Sequence, residues 1–348
     1  MQIDRRAFLL SAISAVGCSR QKDTSPLARA AAWLWAQQGE DGGFHSATYG
    51  LLRSGQSLTP FALEALLDVP ETIFPAPAGG VDRGLAFLLK NTKPDGSLGL
   101  MDQTAADYPN YATALAVTVM VKARRPTWQA ETAPMLGYLK SQQFSEDNGW
   151  KPGDAPYGGW GMGGKIHRPP DAGHVDLSMV RMVVEALHDA GVPASDALMQ
   201  RAIVYLKRSQ NTDGGFYFST VNLETNKAGE AGGRGASYGT ATADGVLALL
   251  AAGVPGTDPR VVTAREWLQK HHRPDRAPGF DVAPYTAWGT GLRYYYGGVI
   301  TRAMAGLPVL LPPQRKDGSF WNSNNLVKEN DPIIATTFAV RVLLNQLG

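Results

Sequence analysis

Residues 210–216 read QNTDGGF, and near copies recur at 37–44 (QQGEDGGF), 93–98 (KPDGSL) and 314–320 (QRKDGSF). Such a stretch has a local physical logic. Glycine after aspartate permits the positive φ that ends a helix, the aspartate accepts hydrogen bonds from nearby amides, and the aromatic residue that follows packs back across the turn. Phe44, Trp150, Phe216 and Phe320 therefore read as structural staples and not as ligand contacts.

The surroundings of these turns repeat as well. Ahead of them run LARAAAWLWAQQ (27–38), VDRGLAFLLKN (81–91), APMLGYLKSQQ (133–143) and LMQRAIVYLKRSQ (198–210). Their apolar residues recur at three- and four-residue steps, as for Leu198, Ile203 and Leu206, which predicts amphipathic helices with one buried face. After each turn comes a loop of variable length and then a helix rich in small and apolar residues: 59–68, 109–123, 176–191, 236–253 and 331–346. Helices apolar over most of their circumference require burial on several sides, so each repeat pairs an outer with an inner helix. The interval is roughly fifty to seventy residues, and self-similarity at such a period implies one stacked architecture. A sixth, degenerate turn is RPDRAPGFD (273–281), and the last outer helix is cut down to GLPVLLPP (306–313), whose prolines disfavour a helix.

Composition excludes some classes of function. The 348 residues are 44% hydrophobic with a formal net charge of +2, enough for a full core and too balanced for nucleic-acid binding. The chain starts MQIDRRAFLLSAISAVGC, with Arg5 and Arg6 ahead of an apolar run and the single cysteine, Cys18, after it. Arg5, Arg6, Phe8 and Leu9 resemble a twin-arginine export signal, and 15–18 resembles a lipobox, which implies lipidation of Cys18. The expectation is a signal peptide over 1–17, one domain over 18–348, and a lipoprotein held by its anchor at the outer membrane, facing the periplasm.

Gln, Asp-Gly-Gly or Asp-Gly-Ser, an aromatic residue and a small-residue helix together resemble the QW-type repeat of squalene-hopene cyclases and protein prenyltransferase β-subunits. YGGWGMGG (157–164), HVDLSMVRMVVEAL (174–187) and SYGTATADGVLALL (237–250) are most similar to exported bacterial prenyltransferase/squalene-oxidase repeat proteins with no assigned reaction. The resemblance implies an all-α chain folded as a single α/α toroid, a terpenoid-cyclase-like ring of about six inner/outer helix pairs around a central cavity.

Class II terpene cyclases protonate an isoprenoid with the middle Asp of a DxDD motif. HVDL puts His174, Asp176 and Leu177 at the three Asp positions, so the resemblance makes Asp176 the candidate acid. Desolvation could keep such a carboxyl protonated, with His174 altering its acidity; the alternative is an N-cap for the helix starting at Leu177. Prenyltransferase chemistry requires a zinc site with Asp, Cys and His, whereas the sole cysteine belongs to the leader and the six histidines form no ligand set apart from adjacent His271 and His272. Those two read as solvated at the end of an outer helix. Complement-like thioester toroids require Cys-Gly-Glu-Gln, which does not occur. No metal or cofactor is implied.

Some α/α toroids cleave glycans with paired carboxylates beside aromatics. Asp107, Asp176, Asp244 and Asp331 are the carboxylates at the inner-helix level. Asp331 before Pro332 reads as an N-cap and Asp107 as a turn residue, while Asp244, four residues from Thr240 on one helix face, is a buried acid in need of a partner. Catalysis, if any, rests on Asp176 and Asp244, and the expected pocket residues are His174, Trp160, Tyr238, Thr240, Trp288, Tyr295 and Trp321. Tyr294–Tyr296 sweep roughly 200° of a helix, so at most two face the cavity. The Gly-rich segment 226–239 reads as a mobile lid. Because each catalytic set is incomplete, the favoured reading is a binding or scaffolding toroid with a pocket for an apolar, isoprenoid-like molecule. A cyclase using Asp176 and a glycan-cleaving enzyme are the alternatives, and a glycan ligand or a protein partner is also open.

Overall fold

The computed structural model describes residues 24–100 and 108–347; the leader, Cys18 and Asp107 lie outside them. Five helices form an outer layer: α1 (Pro26–Trp35), α3 (Gly80–Asn91), α5 (Trp128–Ser141), α7 (Ala197–Arg208) and α9 (Pro259–His271). Six form the inner layer: α2 (Leu58–Leu66), α4 (Pro109–Lys122), α6 (Leu177–Asp189), α8 (Gly239–Ala251), α11 (Arg293–Ala303) and α12 (Pro332–Asn345). A short helix, α10 (Thr286–Gly291), leads into α11. The inner helices pack in the cyclic order α2, α4, α6, α8, α11, α12 and back to α2. This is an α/α toroid. The stretch 306–313 contains no helix and takes the sixth outer position without regular secondary structure, as its prolines predict.

The repeated turns are the fasteners of the ring. In each, the aspartate Oδ1 accepts the N–H two residues on: Gly43 to Asp41, Ser97 to Asp95, Gly215 to Asp213 and Ser319 to Asp317, all at 2.9–3.0 Å. The glutamine ahead of the turn has a second task. Gln38 Nε2 donates to the carbonyls of Gly42 and Gly80, Gln210 to Gly214 and Arg260, and Gln314 to Gly318 and Pro26. Each amide thus ties its own turn to the first residues of the next outer helix, and Gln314 ties the last turn to α1, closing the circle. The approach is close. Gly214 and Gly318 have φ of 88° and 97°, and a Cβ on either would lie 2.6 Å from the carbonyl oxygen of Thr263 or Arg29.

The aromatic residue then links the outer layer to the inner one. The N–H of Phe44, Leu98, Phe216 and Phe320 donates to the hydroxyl of Thr59, Thr113, Thr242 and Thr336 on α2, α4, α8 and α12, at 2.8–3.0 Å. The rings of Phe44, Phe216 and Phe320 are buried in the core, in keeping with their reading as staples.

Two expectations change. His272 is half-buried and held at both ring nitrogens: its Nε2–H donates to Pro308 O (2.8 Å) and its Nδ1 accepts from Tyr296 OH (2.9 Å), joining the end of α9 to α11 and to the stretch 306–313. His271 stacks on Trp267, with centroids 4.4 Å apart. The segment 226–239 is fastened down rather than free. It holds a two-residue antiparallel ladder, β1 (Glu230–Ala231) with β2 (Arg234–Gly235), and Arg234 donates to Asn211 Oδ1 and to the carbonyls of Arg208 and Gln210.

Candidate functional site

A cavity of about 650 Å³ lies at the axis of the ring. Every inner-helix residue lining it comes from the first seven positions of its helix, so it sits where the six inner N-termini converge. Leu58 and Phe61 of α2, Tyr111 of α4, Met179 of α6 and Ile334 and Phe338 of α12 give it an apolar and aromatic wall. Loops supply the rim through Phe218, Lys227 and Lys328, and α10 adds Trp288.

Asp176 is both a helix cap and a cavity residue. Its Oδ1 accepts Met179 N–H (2.9 Å) and Ser178 OH (2.6 Å), and its Oδ2 accepts His174 Nε2–H (2.8 Å). Burial alone would raise its pKa, but the hydrogen bond and charge of His174, with the other two donors, hold it below the ordinary carboxylate value. Three donors aimed at a carboxylate favour the anion, whereas protonating an alkene requires the acid form.

Asp244 has the other character. It lies in the second turn of α8, with Tyr295 OH donating to Oδ2 at 2.7 Å and Arg181 Nε at 2.6 Å from Oδ1. Burial pushes it up to about 6, against the pull of Arg181 and Tyr295. The partner that a buried acid at this position requires is thus supplied twice, by Tyr295 and Arg181.

Below the cavity the same helices carry a charged plug. Arg181, only 2% exposed, also pairs with Glu185 (2.5 Å), which pairs with Arg302 (2.7 Å), and Glu64 holds Lys122 (2.6 Å) and Arg341 (2.5 Å). Together with Asp244, itself a lining residue, these groups come from all six inner helices, and the others stand up to three turns beyond the lining residues. Sequence reading treated these helices as apolar. The signal was present as single charges inside them: Glu64 in FALEALL, Arg181 and Glu185 in MVRMVVEAL, Arg302 in VITRAMA and Arg341 in FAVRVLL.

His174, Asp176, Tyr238, Thr240, Asp244, Trp288 and Tyr295 all line this one cavity. Two expected pocket residues do not. Trp160 is fully buried in the wall, its Nε1–H donating to Leu139 O at 2.7 Å, because Gly158 presses its loop against α7; from that loop only Met162 reaches the cavity. Trp321 is 46% exposed on the outer surface. Of the tyrosine run, Tyr295 faces the cavity while Tyr294 and Tyr296 are packed in the core. Asp331 is the N-cap of α12, accepting Ile333 N–H at 2.9 Å. Lys227 and Lys328, which carry the rim, were not anticipated. Among the described residues no group of three or more His, Cys, Asp or Glu could hold a metal ion.

The model of the squalene-hopene cyclase C-terminal domain matches residues 175–304, the part that carries Asp176, Lys227, Asp244 and Tyr295. The chain is a squalene-cyclase-like protein. The type II terpene cyclase MstE from Scytonema superposes on this squalene-cyclase-like toroid with a TM-score of 0.56 at 14% identity, covering 92% of this chain and 97% of that one. D-mannose isomerase gives 0.58 at 10% identity (92% and 96% covered), and a protein from Actinoplanes 0.56 at 16% identity (94% and 100% covered). At such identities the likeness is one of fold, and the two named neighbours bear different activities on it. No curated protein matches the sequence.

Proposed function

We propose that this squalene-cyclase-like toroid is an exported lipoprotein that binds an apolar, isoprenoid-like molecule in its central cavity without transforming it. The observation that carries this reading is the cavity itself: about 650 Å³, walled by aromatic and aliphatic side chains and furnished with a few fixed polar groups. Pockets for small ligands span about 300–1,000 Å³ and share that make-up. The commitment of Asp176 to its carboxylate form argues against the acid step that the DxDD-like position invites. Arg5, Arg6 and Cys18 support the export and anchoring part of the proposal.

A second reading has its own support. Asp244, pushed up to about 6 and hydrogen-bonded by Tyr295, is the cavity acid that holds a proton most readily, and a cyclase-type reaction would run through it. One experiment separates the two. The mature protein is loaded with geranylgeraniol and with squalene, incubated, extracted and analysed by mass spectrometry. Recovery of the added compound unchanged, enriched over an unrelated exported protein, is the expected result. A cyclised product that disappears in Asp244→Asn would establish the second reading, and no retention of either compound would sink both.

A further inference from the structure

Two ammonium groups at the cavity rim have no ion-pair partner among the described residues. Lys227 Nζ sits 3.1 Å from the ring centroid of Phe218 and 5.7 Å from that of Trp288, and Lys328 Nζ lies 6.0 Å from that of Tyr49. Both side chains line the cavity, and among the described residues no carboxylate comes within ion-pair distance of either. Elsewhere the lysines Lys122 and Lys165 reach carboxylates at 2.5–2.9 Å, so acids are available to the fold where it places them. Inside the cavity the acids are already engaged, Asp176 by His174, Ser178 and a backbone amide and Asp244 by Arg181 and Tyr295. Glu224, the remaining acid on the lining, is exposed and pairs with neither lysine.

A cation taken out of water needs an anion or an aromatic face; both have the face, and Lys227 feels the charges of Asp176 and Asp244 only from beyond ion-pair distance. Desolvation lowers both, Lys227 to about 8, which leaves it charged at neutral pH. Lys328 is also held at φ 65°, in the left-handed region, between turn hydrogen bonds from its N–H to Asn325 O (3.1 Å) and from Asp331 N–H to its carbonyl (2.9 Å). The convergence of the inner-helix N-termini adds a field of the same sign.

We propose that the occupant is an amphipathic anion, its apolar body against Phe61, Tyr111 and Phe338 and its carboxylate or phosphate head group held at the rim by Lys227 and Lys328. This rests on the reading of the cavity as an apolar-ligand site and names the head group that site selects. A neutral polyprene would leave both ammonium groups unpaired; an anion of the same chain length would pair them.

The test compares geranylgeraniol, geranylgeranoic acid and geranylgeranyl phosphate by isothermal titration on the full mature chain at neutral pH. The acid or the phosphate is expected to bind about ten-fold tighter than the alcohol, and whichever is tighter identifies the head group. Lys227→Met and Lys328→Met should each reduce that preference several-fold, weakening the anions more than the alcohol, and Lys227→Arg should retain it. Alcohol binding equal to that of both anions overturns the inference and leaves the apolar-ligand reading intact, as does a preference that survives both methionine variants. Failure of all three compounds to bind overturns that reading as well.

Discussion

Tyr295 of α11 donates its hydroxyl to Asp244 of α8 at 2.7 Å across the cavity floor, bridging neighbouring inner helices above the charged plug. The bond makes the site sensitive to pH in a defined direction. Burial raises Asp244 to about 6 in the fold, above the ordinary value near 4 of an unfolded chain. A raised carboxyl contributes stability that is fully present below the unfolded value and is lost as pH rises through the folded one. Between about pH 4 and 6 the protein should therefore lose on the order of 2 kcal/mol from this group. Asp244→Asn should flatten that part of the decline, and Tyr295→Phe, which removes a bond that favours the anion, should move it to higher pH. Urea midpoints measured from pH 4 to 8 decide the matter, and an unchanged slope in Asp244→Asn would refute it.

Asp176 should behave in the opposite sense. Held below the ordinary carboxylate value, it contributes stability present above the unfolded value and lost as pH falls through the folded one. Asp176→Ala removes a helix cap and should destabilise the protein by about 1 kcal/mol or more at pH 7, with the difference from wild type shrinking towards pH 3. Retention of geranylgeraniol should be unaffected. A variant with native stability that fails to retain the ligand would restore Asp176 as a group acting on the ligand.

Ring closure hangs on Gln314 as much as on the helices. Its amide holds Gly318 O and Pro26 O at 2.7 and 2.9 Å, 288 residues apart in the second case. Gln314→Ala should lower stability by about 1–2 kcal/mol, and Gly318→Ala by about 1–3 kcal/mol, because φ of 97° and the Arg29 carbonyl 2.6 Å from the new Cβ both oppose it. Thermal unfolding of the two variants beside Gln38→Ala checks this; a Gln314→Ala protein as stable as wild type would show that helix packing alone closes the ring.

The turn motif made the toroid legible because one local constraint, Asp-Gly ahead of an aromatic residue, repeats wherever an outer helix must end against its neighbour. The glutamine and threonine bonds were not legible, since each partner lies in another helix and only the fold brings the two together. The same holds for the site. His174, Asp176 and Asp244 stood out as polar groups beside apolar helices, whereas Lys227 read as one more charge in a Gly-rich loop until the fold laid it on Phe218. Trp160 misled for a related reason. A tryptophan among glycines can face a ligand or a neighbouring helix, and here the glycines bring its loop onto α7.

Trp288 offers a direct optical report on the cavity. It lines the rim beside Lys227, while Trp160 is sealed in the wall and Trp321 faces solvent. A ligand entering the cavity displaces water around the Trp288 indole, which alone of the eight tryptophans lines it, and leaves the surroundings of the others unchanged. Titration with an apolar ligand should therefore shift or quench the tryptophan emission, Trp288→Phe should abolish most of that change, and Trp321→Phe should preserve it. Calorimetry on Trp288→Phe separates loss of the signal from loss of binding. An emission change that persists in Trp288→Phe and vanishes in Trp321→Phe would place the ligand on the outer surface and remove the cavity from consideration.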